Sequence, residues 1–290
     1  IWQPVWLEPV APLCIDDLRM TPDLDAKGLR LRVAVNSLAE DLSVEAIAKA
    51  GGETNGQVTG LPNSELFLPI PKPKAWSPDN PFLYDLEVRL KRAGQELDHV
   101  SSYFALRKVG LVQDRRGFTC LGLNGEPKFQ IGALDQGFWP DRLYTAPSDE
   151  ALKSDLVLLK NAGFNLARKH VKIEPDRWYY WCDKLGLLVW QDMPSGNNST
   201  PAGQREFESE LLHMVNDLYN HPSVVVWVLF NEGWGQYDTQ RLTQRLKALD
   251  PSRLVNNASG WTDMRVGDIV DVHNYPGPSA PQTETRRAAV

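Results

Sequence analysis

Hydrophobic and polar positions alternate with a period of two through roughly the first hundred residues. The alternation is clearest over 29–36 and 84–90, and shorter runs of the same kind cover 42–46 and 66–70. Such alternation is typical of strands with one buried face. Short strands separated by frequent turns predict an immunoglobulin-like β-sandwich over residues 1–107. The turn signals between the strands are Gly51-Gly52, Asn55-Gly56 and the proline-rich stretch 69–81.

Residues 108–290 instead alternate short apolar runs with segments of helical spacing, which is the pattern of an α/β domain. Ser148 and Gly163 bound one predicted helix, and Pro175 and Gly186 bound the next. Six strand–helix steps without a glycine-rich phosphate turn favour a TIM (β/α)8 barrel over an open doubly wound sheet. The predicted barrel strands are 129–134, 164–169, 187–191, 224–230, 254–258 and 269–274.

A complete eight-fold barrel takes about 250 residues, which is more than the stretch 108–290 provides. Strands seven and eight are therefore expected to lie beyond Val290. We interpret the sequence as a fragment of a multidomain protein, a β-sandwich followed by a truncated TIM barrel.

The composition excludes several classes of function. The net charge is -6 and no Lys/Arg-rich run is present, so neither nucleic acid nor an anionic membrane surface is an expected partner. The longest apolar run, 224–230, is too short to span a membrane. Cys14, Cys120 and Cys182 are widely spaced, which predicts buried free thiols and no disulfide framework or zinc site.

Polar residues occupy the end of every predicted barrel strand. The chemistry of TIM barrels gathers at the carboxyl ends of the strands, and packing alone gives no reason for polar groups at six successive ends. The residues at these ends, in chain order, are Asp135-Gln136, Arg168-Lys169-His170, Gln191-Asp192, Asn231-Glu232, Ser259-Gly260-Trp261 and His273-Asn274-Tyr275.

Glu232 is the most informative of these residues, because it follows an apolar strand and an amide and precedes Gly233-Trp234-Gly235. Partial desolvation beside a tryptophan favours the protonated carboxyl. A general acid for a poor alkoxide leaving group needs that property. Asn231 could donate a hydrogen bond to a sugar hydroxyl next to the reacting carbon. The alternative is a surface glutamate that caps the next helix.

Ten tryptophans are many for this length. Trp178 and Trp181 lie at helical spacing and Trp227 is in the middle of a strand, so these are expected in the core. Trp261 and Trp234 are predicted to stack on sugar rings. His170 and His273 are predicted to form hydrogen bonds to substrate or to a catalytic carboxylate. Neither sits in a pattern with metal-ligand spacing, so no metal site is predicted.

Together these residues resemble glycoside hydrolase family 2, the family of β-galactosidases, β-glucuronidases and β-mannosidases, over essentially the whole chain. The start of the chain resembles the junction between that family's jelly-roll and immunoglobulin-like domains. The segments that carry the resemblance are Ile1-Trp2-Gln3-Pro4-Val5-Trp6-Leu7-Glu8, Trp76-Ser77-Pro78-Asp79-Asn80-Pro81, Phe104-Ala105-Leu106-Arg107-Lys108, Leu123-Asn124-Gly125-Glu126-Pro127, Asn220-His221-Pro222-Ser223 and Phe230-Asn231-Glu232.

The resemblance implies a retaining, exo-acting β-glycosidase with a carbohydrate substrate and no organic cofactor. It implies that Glu232 is the acid/base, that Asn231 holds the sugar 2-hydroxyl and that Tyr275 contacts the nucleophile. His170, Asp135 and Asp192 match substrate-pocket positions. The family's nucleophile is a Glu at the end of strand seven. Residues 287–290 resemble the opening of that strand, so the chain as given is expected to lack its nucleophile and to be inactive.

The identity of the sugar stays open at this point. A β-galactosidase-like activity is the first expectation, although 135–140 departs from the His-Glu-like pattern of the well-known galactosidases and glucuronidases. A β-mannosidase is an alternative. A β-glucuronidase would need a cationic pocket, which Arg168 and Lys169 could provide unless they are outward-facing charges. A noncatalytic carbohydrate-binding relative is the alternative from another class. The family is compatible with a periplasmic or extracellular location.

Overall fold

The computed structural model describes residues 3–290. Ile1 and Trp2, which open the segment that resembles a domain junction, lie outside the described residues. The chain divides into two compact units, Pro4–Lys108 and Val109–Val290, with Gln3 assigned to the second. The first is a sandwich-like β domain and the second is a TIM-barrel domain, as the sequence predicts.

Within residues 4–108, seven antiparallel strands form two sheets. One sheet has the order β1-β2-β5 and the other has the order β4-β3-β6-β7. Alternate residues of the strands fill the core between them, and Leu29, Leu31 and Val33 are all fully buried. The strands are β1 Ile15–Asp23, β2 Gly28–Val35, β3 Leu42–Ala50, β4 Glu53–Gly60, β5 Glu65–Pro69, β6 Tyr84–Arg92 and β7 Gln95–Phe104.

One predicted turn of this unit is wrong. Asn55-Gly56 lies inside β4, and the turn before it is formed by Gly51-Gly52, both with positive φ. Gly56 is explained by a close approach between strands, because a Cβ built on it would overlap the carbonyl oxygen of Pro69 at the end of β5. Glycine is therefore needed at position 56 because the strands lie close together there, and not because the chain turns.

The second unit begins with a small antiparallel sheet and continues with a parallel sheet of order β11-β12-β13-β14-β15. A separate parallel pair joins β16 to β17, at the position where the sequence resembles the opening of barrel strand seven. The elements are β8 Val109–Gln113, β9 Thr119–Leu123, β10 Glu126–Pro127, β11 Gly132–Asp135, α1 Asp149–Asn161, β12 Leu166–Lys169, α2 Asp176–Leu185, β13 Leu188–Asp192, α3 Pro201–Asp217, β14 Val224–Val228, α4 Thr239–Leu249, β15 Leu254–Asn256, β16 Ile269–Val270 and β17 Ala288–Ala289.

Ser148, Pro175 and Gly186 lie at helix ends in the structure, as the sequence predicts. The Ser148 side chain accepts a hydrogen bond from the Ala151 N–H at the start of α1. Gly186 adopts the left-handed conformation at the end of α2, with φ of 75°. Pro175 directly precedes α2. None of the helices within residues 3–290 is both long and apolar enough to cross a membrane.

Several strands are shorter than their apolar runs. The run 224–230 continues past β14 because Leu229 and Phe230 also fill the core, although they lie beyond the end of the strand. Phe129 is 80% exposed and precedes β11, so the first barrel strand starts later than predicted. Trp178 and Trp227 are buried in the core, as expected. The three cysteines are free thiols, but only Cys14 and Cys182 are buried and Cys120 is partly exposed.

Candidate active site

Glu232 is turned out of the line of β14 by an unusual backbone. The Asn231 backbone pairs with Ser259 in parallel fashion, and the Glu232 N–H donates to the Ser259 carbonyl at 2.9 Å. Glu232 then has a φ of 53°, and Gly233 follows with a φ of 77°. A left-handed conformation in a residue other than glycine is costly and is often found at functional sites. Here it directs the carboxyl over the carboxyl end of the parallel sheet.

The carboxyl of Glu232 is held by His273, which follows β16. Glu232 Oε1 lies 2.7 Å from His273 Nδ1, and His273 Nε2 lies 3.2 Å from Nη1 of Arg168. A guanidinium can only donate, so the lone pair of the ring is at Nε2 and the ring proton is at Nδ1. His273 therefore donates to Glu232. Within residues 3–290, Oε2 of Glu232 has no hydrogen-bond partner.

Arg168, at the end of β12, connects the residues of this site. Its Nε and Nη2 donate to the two carboxylate oxygens of Asp192 at 3.0 and 2.9 Å. Nη2 also donates to Oδ1 of Asn231 at 2.9 Å, and Nη1 donates to Oγ of Ser259 at 2.8 Å. Together with the His273 contact, these bonds use all five N–H groups of the guanidinium.

Burial acts to lower the pKa of Arg168, but the negative charge of Asp192 and the bonds to it outweigh burial and raise the pKa above its usual value. The same burial raises the pKa of the Asp192 carboxyl, which Arg168 opposes. Asp192 is 1% exposed, so its charge depends on this bidentate partner. The interpretation of Arg168 and Lys169 as outward-facing charges is wrong, because both side chains are buried or nearly so.

His170 lies at the edge of the same group. Its Nδ1 is 2.9 Å from Nε2 of Gln136, and its Nε2 is 3.9 Å from Oδ2 of Asp192. Burial lowers the pKa of the His170 imidazole, although the charge of Asp192 acts in the opposite direction. His170, Asp192, Asn231, Glu232 and His273 therefore form one continuous polar network around Arg168.

The structure does not bring Asp135 into this network. Its carboxylate accepts from Lys169 Nζ at 2.6 Å and from the Gly137 N–H at 2.8 Å. Lys169 also contacts Glu174 at 3.0 Å and lies over the Trp178 ring of α2. Adjacent strand residues point to opposite faces. Asp135 and Lys169 thus share the face that packs on the helices, whereas Arg168 faces the barrel interior.

The three aromatic candidates, which follow β14, β15 and β16, differ in their placement. Trp261 is 49% exposed, and its indole N–H donates to the His273 carbonyl at 3.3 Å. His273 therefore connects Trp261 to Glu232. Trp234 is also exposed. Tyr275 is 76% exposed, and no contact joins it to the network in the part of the chain that the structure describes.

Ser259 and Asp271 also belong to the site, although the sequence predicts no role for either. The Ser259 hydroxyl donates to Asp271, whose other oxygen accepts from the Gly260 N–H at 2.9 Å. Gly260 has a φ of 89° and leaves the space that the His273 ring occupies. Side chains two residues apart in a strand point to the same face. Asp271 lies two residues before His273, so the sequence could have indicated that both face the site. Within residues 3–290, no group of three or more His, Cys, Asp or Glu residues is arranged to hold a metal ion.

Comparison with known proteins gives matches over both units. The protein-family model described as Glycosyl hydrolases family 2 matches residues 13–107. A second family model, described as Glycosyl hydrolases family 2, TIM barrel domain, matches residues 145–279. The β-galactosidase of Leuconostoc mesenteroides is 29% identical over 266 residues, which cover 88% of this chain and 24% of that protein. The β-galactosidase of Aeromonas hydrophila is 30% identical over 284 residues, which cover 88% and 27%.

This chain therefore spans about a quarter of the length of the curated relatives it matches. Among solved structures, an FMN-binding β-glucuronidase from Faecalibacterium prausnitzii superimposes with a TM-score of 0.82 at 21% identity. That match covers 92% of this chain and 45% of the other chain. At this level of identity, the likeness shows the fold alone.

Proposed function

Because the chain belongs to glycosyl hydrolases family 2, we propose that it carries the acid/base half of a retaining, exo-acting β-glycosidase. The protein would hydrolyse O-glycosidic bonds at the non-reducing ends of carbohydrates. The observation that carries the proposal is the geometry of Glu232. Its carboxyl stands at the carboxyl end of a barrel strand, with one oxygen held by His273 and the other without a partner within residues 3–290.

In the first step, Glu232 donates its proton from Oε2 to the glycosidic oxygen as the bond from that oxygen to the anomeric carbon breaks. A second carboxylate, the nucleophile of the family, bonds to the anomeric carbon. The His273 N–H then stabilises the Glu232 carboxylate. In the second step, this carboxylate takes a proton from water as the water oxygen attacks the anomeric carbon and releases the nucleophile.

Asn231 has a defined orientation for binding the sugar. Its Oδ1 accepts from Arg168, so its amide N–H groups are left to donate. A bond from this amide to the 2-hydroxyl would strengthen as the reacting sugar gains oxocarbenium character. Arg168 is thus a positioning residue that acts through Asn231 and His273.

We propose a β-galactosidase-like specificity for a neutral sugar. Two curated relatives are β-galactosidases. All five Arg168 N–H groups already have partners, and Lys169 is fully buried in contact with Asp135 and Glu174. Neither cation is free to bind a uronate carboxylate. This observation favours a galactosidase over the glucuronidase alternative and leaves β-mannosidase as the second neutral-sugar candidate.

The proposal is tested by hydrolysis of nitrophenyl β-galactoside, β-mannoside and β-glucuronide by the full-length natural protein and its Glu232→Ala variant. We expect turnover of one sugar. Loss of the general acid should reduce kcat/KM by about 10²–10⁴-fold for alkyl or poor aryl leaving groups and by much less for dinitrophenolate. The matched control is Glu210→Ala, which removes an exposed carboxyl from α3.

An equal loss for good and poor leaving groups would contradict the acid/base role of Glu232. Absence of turnover with all three sugars, from folded protein that still binds sugars, would favour the noncatalytic carbohydrate-binding alternative.

A further inference from the structure

Gln136 directly follows β11 and contacts His170, which directly follows β12. Nε2 of the Gln136 amide lies 2.9 Å from Nδ1 of the imidazole, and the His170 backbone N–H donates to the Asp135 carbonyl at 2.9 Å. A backbone bond and a side-chain bond therefore join the two loops at the carboxyl end of the parallel sheet. The partner at one ring nitrogen decides which nitrogen of a neutral histidine carries the proton.

Buried lysines hold the residues on either side of Gln136. Asp135 accepts from Lys169 Nζ at 2.6 Å, and the Gly137 carbonyl accepts from Lys172 Nζ at 2.6 Å. Both lysines are almost fully buried, and the Gly137 N–H donates to Asp135 at 2.8 Å. The backbone at Gln136 is thus fixed, although Gln136 itself is exposed. The position of its amide beside the imidazole is therefore a built feature of the site.

The other ring nitrogen of His170 faces a hydrogen-bond acceptor. It lies 3.9 Å from Oδ2 of Asp192, a carboxylate that Arg168 holds. Burial is the largest influence on the imidazole and lowers its pKa, and the charge of Arg168 acts in the same direction. Asp192, Asn231 and Glu232 act in the opposite direction. The net effect is a lowered pKa, so the ring is neutral at about pH 7 and carries one proton.

These surroundings assign the single proton to Nε2 of the imidazole. The amide nitrogen of Gln136 donates and does not accept, so Nδ1 of His170 must offer its lone pair. The carboxylate of Asp192 only accepts, so it favours a proton on the nitrogen that faces it. The opposite tautomer would place an N–H against an N–H on one side of the ring and a lone pair against a carboxylate on the other.

We propose that Gln136 is a positioning residue, which fixes His170 in the tautomer that carries its proton on Nε2. His170 then presents an N–H donor toward Asp192 and the neighbouring Asn231, the residue proposed to bind the sugar. A hydroxyl oxygen of a bound sugar can accept from this donor. The sugar-binding part of the inference rests on the proposed glycosidase function, whereas the tautomer does not.

Gln136→Glu tests this role, because the two side chains have nearly the same shape but the carboxylate accepts where the amide donates. Neutron diffraction from deuterium-exchanged crystals of the full-length protein locates the ring proton directly. At about pH 7, unmodified protein should carry deuterium on Nε2 of His170 and none on Nδ1, whereas Gln136→Glu should carry deuterium on Nδ1. The matched control is Gln244→Glu, which makes the same change at an exposed residue of α4 and should leave deuterium on Nε2 alone.

The same variant has a kinetic signature. A carboxylate beside Nδ1 favours the doubly protonated ring, which keeps its Nε2 donor, and at higher pH the remaining proton stays on Nδ1. The KM of Gln136→Glu for the sugar that the nitrophenyl panel selects should therefore approach that of unmodified protein at about pH 5.5. At about pH 8 it should be about three- to tenfold higher, which corresponds to one lost hydrogen bond. The kcat should change less than KM, because Gln136 touches no reacting atom.

Deuterium on Nδ1 of His170 in unmodified protein, or the same deuterium positions in unmodified protein and Gln136→Glu, would overturn the positioning role. A KM ratio of variant to unmodified protein that stays constant from about pH 5.5 to about pH 8 would overturn the link between the Nε2 donor and sugar binding. Failure of unmodified protein to hydrolyse any glycoside would remove the proposed function but not the tautomer, which the neutron experiment decides.

Discussion

His273 donates from Nδ1 to Oε1 of Glu232 across 2.7 Å, while its other nitrogen lies 3.2 Å from the guanidinium of Arg168. The imidazole thus stands between a permanent cation and the candidate acid/base. A cation beside Nε2 polarises the ring and strengthens the Nδ1–H donor. This arrangement fixes the orientation of the Glu232 carboxyl and stabilises the carboxylate that remains after proton donation.

His273→Ala should therefore impair the step in which Glu232 gives up its proton. We expect kcat for poor leaving groups to fall by about 10–100-fold, with a smaller effect on activated leaving groups. Asparagine can place an amide N–H near the position of Nδ1, so His273→Asn should retain more activity than His273→Ala. Steady-state kinetics on a leaving-group series measures both effects, and equal activity of the two variants would contradict the donor role.

Arg168→Met should destabilise the second unit, because it leaves the Asp192 carboxyl buried without its bidentate partner. Removal of one member of a buried pair costs about 3–5 kcal/mol. Arg168→Met combined with Asp192→Leu removes both charges and should recover much of that loss. Urea unfolding of the two single variants and the double variant measures the coupling. Additive losses in the double variant would show that the pair does not stabilise the fold.

The spacing of apolar residues predicts both architectures. Strands with one buried face alternate apolar and polar residues, whereas barrel strands that are buried on both faces are continuously apolar. Strand ends are less predictable. Leu229 and Phe230 are as apolar as β14 itself, and only the backbone shows that the strand stops at Val228. The dipeptide Asn55-Gly56 is typical of turns, but here tertiary packing against Pro69 explains the glycine.

The candidate site was predictable to the extent that carboxyl ends of parallel strands converge. This convergence predicts that Asn231, Glu232 and His273 lie close together. It does not specify which of two adjacent residues faces the barrel interior, since a shift of one residue reverses the face. For this reason Arg168 lies in the network and its neighbour Lys169 lies against α2 with Asp135.

His170 should make stability depend on pH. Burial holds its pKa below the ordinary value of 6.5 in the folded protein. As the pH falls below about 6.5, the unfolded chain takes up a proton that the folded protein resists, so the free energy of unfolding decreases. We expect His170→Gln to flatten this dependence between about pH 7 and pH 5.5 in urea titrations. The exposed His213→Gln on α3 is the control, and identical slopes for His170→Gln and unmodified protein would contradict the prediction.

Gly56→Ala tests the close approach of β4 and β5 in the first unit. A methyl group at this position would overlap the Pro69 carbonyl oxygen, which is backbone and cannot rotate away as a flexible side chain could. Overpacking of this kind costs about 1–3 kcal/mol of unfolding free energy. Gly110→Ala in β8 is the control, because a Cβ built there meets nothing within 4 Å. Chemical denaturation should show a clear loss for Gly56→Ala and a change within about 0.5 kcal/mol for Gly110→Ala. Equal stability of the two variants would mean that the sheets can separate at this point without cost. Gly56 would then have no packing reason to be glycine.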